Sequence, residues 1–202
     1  GGVGAQLTPA VFERAVRHGV GPDGRALRIM PAESYQFLTD DDLAAVAAYV
    51  RSRPPVDHEL PASSLRLLPR ALMLAGAMPL LPAEGIAGAA PRAMTITPSP
   101  TGAYGEYLAN VGGCKGCHGE HLSGGPRGGP PGPPAANLTP GGQLGKWTEQ
   151  QFVSTLRTGK RPDGTPLSEA MPWRRTGLMT DDEMHAVWQY LRTVPARPYG
   201  GR

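Results

Sequence analysis

A chain of 202 residues with 28 glycines and 23 prolines is about a quarter helix- and strand-breaking, which leaves room for one or two loop-rich domains with a few short helices. Three Phe, three Trp and six Tyr are too few for a large aromatic core. The formal charge of +3 is too modest to indicate a polyanionic partner, so nucleic-acid binding is not read here.

The sequence opens without an initiator Met, a basic segment or an apolar run, so any export signal is expected to have been removed or to lie outside it. Thr8 is placed to cap a short amphipathic helix carrying Phe12 and Val16, and Gly19 to stop it. Pro22-Asp23-Gly24 is a turn signature, followed by a Met30-Pro31 loop. Thr39 with Asp40-Asp41 then opens a second helix, whose apolar positions are Leu43, Val46, Tyr49 and Val50 and which Pro54 ends.

Residues 56–100 hold many prolines and alanines without a sustained period. They read as an extended linker, with a short helix around Ser64 to Leu74. The most apolar stretch, Ala71 to Ala83, is thirteen uncharged residues interrupted by Pro79 and Pro82. That is short of the roughly twenty residues a spanning helix needs. It is read as apolar linker packing on a domain surface, with contact to a membrane-bound partner as the alternative.

Gly102 to Gly113 is a further helix candidate, with Tyr104, Tyr107, Leu108 and Val111, and it runs straight into Cys114-Lys115-Gly116-Cys117-His118. This pentapeptide holds both cysteines of the chain. Two thiols one helical turn apart and an adjacent imidazole are what covalent c-type haem attachment requires: each sulfur reaches one former vinyl group, and the histidine faces the iron. Three other readings share the spacing: a thiol redox pair, half of a zinc site and a plain disulfide. A redox pair wants a helix start after a strand in a βαβ pattern, and no such strand run is present. A zinc site usually needs a second Cys/His pair, and no further cysteine exists. A macrocycle would also supply apolar mass that a small domain lacks, and its propionates would bring the charge towards neutrality.

After the motif the chain repeats its beginning. Thr148, Phe152, Arg157, Gly159, Pro162-Asp163-Gly164 and Leu167 match Thr8, Phe12, Arg17, Gly19, Pro22-Asp23-Gly24 and Leu27 at an offset of 140. Met171-Pro172, Thr180-Asp181-Asp182, Ala186, Tyr190, Arg192 and Pro195 match Met30-Pro31, Thr39-Asp40-Asp41, Ala45, Tyr49, Arg51 and Pro54 at 141. The single-residue gap falls in the loop before the methionine, where length changes are tolerated. Each copy reads as helix, turn, methionine loop, helix.

An N-terminal helix, C-x-x-C-H, a long loop, a short helix, a Met-Pro loop and a closing helix with Trp188-Gln189-Tyr190-Leu191 together resemble a class I cytochrome c domain, all-α around a covalent haem. The resemblance covers Gly102 to Pro198, whereas Gly1 to Pro55 resembles only the C-terminal half of such a domain. The whole is similar to the multi-haem cytochrome c subunits that serve periplasmic dehydrogenases. The expected organisation is residues 1–55 as a half-domain lacking its C-x-x-C-H, 56–100 as linker and 101–202 as a complete cytochrome c domain.

The resemblance implies one haem c, attached at Cys114 and Cys117, with His118 as proximal ligand and Met171 as the opposite one. A thioether is a soft, neutral ligand that favours ferrous iron and suits electron transfer. Met179 and Met184 are the alternatives and read as packing. Asn137-Leu138-Thr139-Pro140 resembles a segment lining the haem. Trp147, Arg157, Trp173, Arg174 and Arg175 are candidate propionate donors. The loop from Gly124 to Pro134 is expected to supply a carbonyl that orients His118. His121 reads as a surface histidine, and His18, His58 and His185 as structural or solvent-facing residues without partners in sequence.

Met30 stands at the ligand position of a first unit that has no attachment motif. The sequence is therefore expected to be a piece of a longer multi-haem protein; the other reading is a first unit that has lost its haem, and in either case an apolar face is left for something to cover. The function expected is single-electron transfer without bond chemistry, in the periplasm or on the outer face of the cytoplasmic membrane, with a dehydrogenase and other cytochromes or an oxidase as redox partners. A haem enzyme or gas sensor with a displaceable methionine, and a scaffold with structural haem, are the competing readings.

Overall fold

The computed structural model describes residues 4, 7–58, 67–75, 86, 95–125 and 134–201, grouped in two compact units, Gly1–Thr95 and Ile96–Arg202. Among the described residues the secondary structure is helical, and extended backbone pairs only as three isolated bridges, Val20 with Ala26, Gly125 with Ala135 and Lys160 with Pro166. None of the described helices is long and apolar enough to cross a membrane.

In the first unit, α1 (Pro9–His18) starts where the Thr8 hydroxyl accepts the Val11 N–H, and ends at Gly19 in the left-handed conformation, φ +65°. A short α2 (Ala32–Tyr35) follows Met30-Pro31, and α3 (Asp40–Arg51) starts where the Thr39 hydroxyl accepts the Asp42 N–H. Both α2 and α3 pack on α1. The short linker helix appears as α4 (Leu67–Leu74); Ser64 to Arg66 and Gly76 to Ala83 lie outside the described residues.

The second unit begins at Ile96, inside the stretch expected as linker, because its side chain joins Tyr104, Tyr107 and Ala186 in an apolar cluster. Then come α5 (Gly102–Val111), capped by Thr101, and α6 (Cys114–His118). A 3₁₀ turn at Gln143–Lys146 precedes α7 (Glu149–Thr158), which ends at Gly159 with φ +70°. The short α8 (Trp173–Thr176) and the closing α9 (Asp181–Thr193) complete it. Capping boxes, Thr148 with Gln151 and Thr180 with Glu183, start α7 and α9, each worth about 1 kcal/mol.

The core of this unit is Leu122, Leu144, Phe152, Leu156, Met184, Val187, Trp188 and Leu191. Helix α5 crosses α9 with its backbone against it: a Cβ on Gly105 would lie 1.9 Å from the Ala186 carbonyl oxygen. Only glycine permits that approach.

The repeat is structural as well as sequential. Leu27 N–H donates to the Gly19 carbonyl at 2.6 Å, and Leu167 N–H to that of Gly159 at 2.7 Å. Ala32 N–H donates to the Met30 carbonyl, and Trp173 N–H to that of Met171. Arg17 binds Asp40 and Arg157 its counterpart Asp181, while the carbonyls that they reach differ, Leu38 in the first unit and Gly177, two residues before the counterpart of Leu38, in the second.

Candidate functional site

Cys114, Cys117 and His118 share the single turn of α6, which Gly113 opens with φ +71° and Gly119 closes with φ +82°. Both thiols are free and partly buried. Burial raises the pKa of the Cys114 thiol; its own backbone hydrogen bond opposes the shift. Among the described residues no three His, Cys, Asp or Glu side chains converge as a metal site.

His118 is buried, and its Nδ1 lies 2.8 Å from the Ala136 carbonyl oxygen. The expected orienting carbonyl exists, but it comes from two residues beyond the Gly124–Pro134 loop, of which residues 126–133 lie outside the described residues. Main-chain pairing presents it. Gly124 N–H donates to the His118 carbonyl, Leu138 N–H donates to the Leu122 carbonyl, and Gly125 and Ala135 exchange both of their hydrogen bonds. Burial lowers the His118 pKa, against the Ala136 hydrogen bond. The neutral ring with Nδ1–H on Ala136 keeps its lone pair on Nε2, as a metal-binding imidazole must.

Met171 is partly buried and packs on the apolar core, as do Cys114 and Trp147. These three sequence candidates therefore border one cluster. Met184 lies fully buried inside it and Met179 packs on it, both as packing residues. Trp173 lies over Gly159, where a Cβ would sit 2.6 Å from its Cε2.

Asn137, Arg157 and Arg174 among the polar candidates have protein partners. Asn137 donates from Nδ2 to the Arg197 carbonyl at 2.8 Å and accepts the N–H and hydroxyl of Thr139. It ties the C-terminal segment to the loop that carries Ala136. Arg174 is exposed, pairs with Glu169 and stacks on the Trp173 ring with its guanidinium 4.3 Å from the centroid. Arg175 is exposed. His185, whose partner is not legible in sequence, takes a structural role with Nδ1 2.5 Å from Glu149 Oε1, because α7 and α9 pack together. His121 is half-buried beside a groove lined also by Glu106, Lys115 and Tyr190.

Leu122 escaped sequence reasoning. It is buried in the core with φ +57°, a left-handed conformation that favours glycine, and its carbonyl anchors Leu138. No residue type announces such a position. Tyr199 is a second case: its hydroxyl donates to the Gly125 carbonyl at 2.9 Å, and its ring covers Gly124.

The donor set fits a covalent haem on the structure's own terms: two free thiols and a histidine with one ring nitrogen satisfied on a single turn, and a thioether bordering the cluster that Cys114 borders.

Residues 102–195 match the cytochrome c family, and the matched segment contains the C-x-x-C-H. The chain is 30% identical, over 98% of its length, to the cytochrome c subunit of the quinone alcohol dehydrogenase of Gluconacetobacter polyoxogenes, covering 46% of that protein. It is 27% identical over 95% of its length to the fructose dehydrogenase cytochrome subunit of Gluconobacter japonicus, covering 42% of it. The gluconate 2-dehydrogenase cytochrome c subunit of Pantoea cypripedii is 33% identical over 43% of this chain. The chain thus spans less than half the length of the first two relatives.

Proposed function

We propose, from the match of residues 102–195 to the cytochrome c family, that Cys114 and Cys117 would attach a haem and that His118 and Met171 would hold its iron. The observation that carries this reading is the hydrogen bond from His118 to Ala136, which leaves Nε2 as the free donor on the turn that bears both thiols. Held by a neutral imidazole and a neutral thioether, the haem would supply a one-electron couple whose ferrous state the soft sulfur favours, which suits electron relay. Met171 packs on the core of Phe152, Met184 and Trp188, which would shield a thioether ligand there from water.

The chain acts as an electron-transfer subunit that takes electrons from a dehydrogenase and passes them towards the respiratory chain, outside the cytoplasm. The names of the relatives support this: they are cytochrome subunits of alcohol, fructose and gluconate dehydrogenases. Residues 1–55 are the second half of another such domain.

Intact mass with a reduced-minus-oxidised visible spectrum should count one haem attached to this chain. Met171→Ala should lower the potential and let ferrous iron bind carbon monoxide. Ready carbon monoxide binding by the unaltered protein, or a potential indifferent to Met171→Ala, would overturn the ligation.

A further inference from the structure

Three polar side chains on the arms that present the Ala136 carbonyl are almost wholly buried: Ser123, Asn137 and Thr139. Burying a polar group is costly unless it finds a partner, so the partners show what the burial serves. Asn137 donates from Nδ2 to the Arg197 carbonyl at 2.8 Å. Thr139 Oγ1 accepts the Arg197 N–H at 3.1 Å, while its own proton goes to Asn137 Oδ1 at 2.8 Å. Ser123 donates from Oγ to the Gly201 carbonyl at 2.7 Å, and its carbonyl accepts the Gly200 N–H at 2.9 Å. Apart from the bond between Asn137 and Thr139, these partners are main-chain groups of one segment, Arg197–Gly201, which follows α9.

That segment is shaped for the contact. The Gly201 N–H closes a tight turn onto the Pro198 carbonyl at 2.9 Å, with Gly200 left-handed at φ +68°. Glycine opens the arms to it: a Cβ on Gly141 would lie 2.3 Å from the Arg197 carbonyl oxygen, and one on Gly124 2.7 Å from Tyr199 Cε2. The Tyr199 hydroxyl then reaches the Gly125 carbonyl at 2.9 Å. Arg197 thus holds the arm that leaves Ala136, and Tyr199 to Gly201 hold the arm that approaches it.

We infer that Arg197–Gly201 is a strap that sets the Ala136 carbonyl on His118 Nδ1, with Asn137 and Tyr199 as positioning residues for the imidazole. The inference rests on the reading of His118 as the haem's histidine ligand. An acceptor on Nδ1 fixes the tautomer and the ring orientation and strengthens Nε2 as a donor, so whatever fixes the acceptor fixes the ligand. Asn137 acts on the ring through the carbonyl of its neighbour, and Tyr199 acts from the opposite arm.

The test is exchange of the His118 Nδ1 proton with water, followed by NMR on isotope-labelled histidine in the whole protein, haem attached and reduced. Tyr199→Phe keeps the ring and removes one hydrogen bond, and should speed exchange severalfold. Asn137→Ala releases the Arg197 carbonyl and should speed it about tenfold. Glu149→Ala, which removes the His185 contact elsewhere in the same unit, should leave the rate unchanged. An unaltered rate in Tyr199→Phe, a change at a residue 56% exposed that leaves the packing in place, overturns the strap, as does an unaltered rate in Asn137→Ala. Equal acceleration by Glu149→Ala also overturns it, because a general opening of the unit would then account for the exchange. Separately, His118 ring protons without the upfield shift of an iron-bound imidazole overturn the ligation itself.

Discussion

His118 Nδ1 and the carbonyl oxygen of Ala136 meet at 2.8 Å across 18 residues of chain. The main chain on either side is paired, so the acceptor is held by backbone and not by a side chain that could swing away. In the haem-free protein at neutral pH, His118 should be the neutral Nδ1–H tautomer, read from its ring nitrogen shifts by NMR; an Nε2–H tautomer would contradict the assignment. Burial depresses the folded-state pKa below the usual value of about 6.5. As pH falls below that value the unfolded chain takes the proton first, so stability present above it is lost as pH falls through the folded-state pKa. Urea midpoints of the haem-free protein should decline over that window, and less so for His118→Gln.

Gly105→Ala places a methyl group on the Ala186 carbonyl oxygen. The two helices must separate, and the expected loss is about 3 kcal/mol, the upper part of the overpacking range. A helix-propensity gain of about 1 kcal/mol works in the other direction. Denaturant unfolding of the second unit measures the difference.

The two arginine bridges are unequal. Arg17 is almost wholly buried and also contacts Glu13, whereas Arg157 is a third exposed. Arg17→Met should cost about 2 kcal/mol, the scale of hydrogen bonds to a charged group. Arg157→Met should cost less than about 1 kcal/mol, since its ion pair is screened. Amide exchange in α1 and α3, and in α7 and α9, separates the two effects.

In the haem-free protein, burial raises the Tyr190 phenol pKa above its usual range, and the charges of the Glu106 carboxylate and the Cys114 thiolate add to the shift. The neutral phenol's contribution is therefore full below the unfolded value of about 10 and is lost as pH rises through the folded one. Unfolding midpoints should fall on the alkaline side, with a shallower slope in Tyr190→Phe.

Local chemistry made much of this legible in the sequence. Thr8, Thr39, Thr148 and Thr180 cap helices, and Gly19 and Gly159 end them, because capping is decided within a few residues. The C-x-x-C-H turn is equally local. What stayed hidden depends on distant backbone: the Ala136 carbonyl, the left-handed Leu122, the hold of Asn137 on Arg197, and the contact of His185 with Glu149 across 36 positions. A carbonyl carries no residue signature, and a side-chain pair across two helices needs their packing to be known first.

The spacing within the repeat has a consequence for how the methionine is positioned. Leu27 and Met30 are three residues apart and Leu167 and Met171 four, but nine residues separate Met30 from Thr39 and Met171 from Thr180 alike. The sulfur is therefore indexed from the closing helix, with Pro172 and α8 acting as a ruler of fixed length, while the upstream turn takes up slack. Insertions between Leu167 and Ala170 are geometrically cheap; a single residue added between Pro172 and Thr180 would reset where the thioether stands.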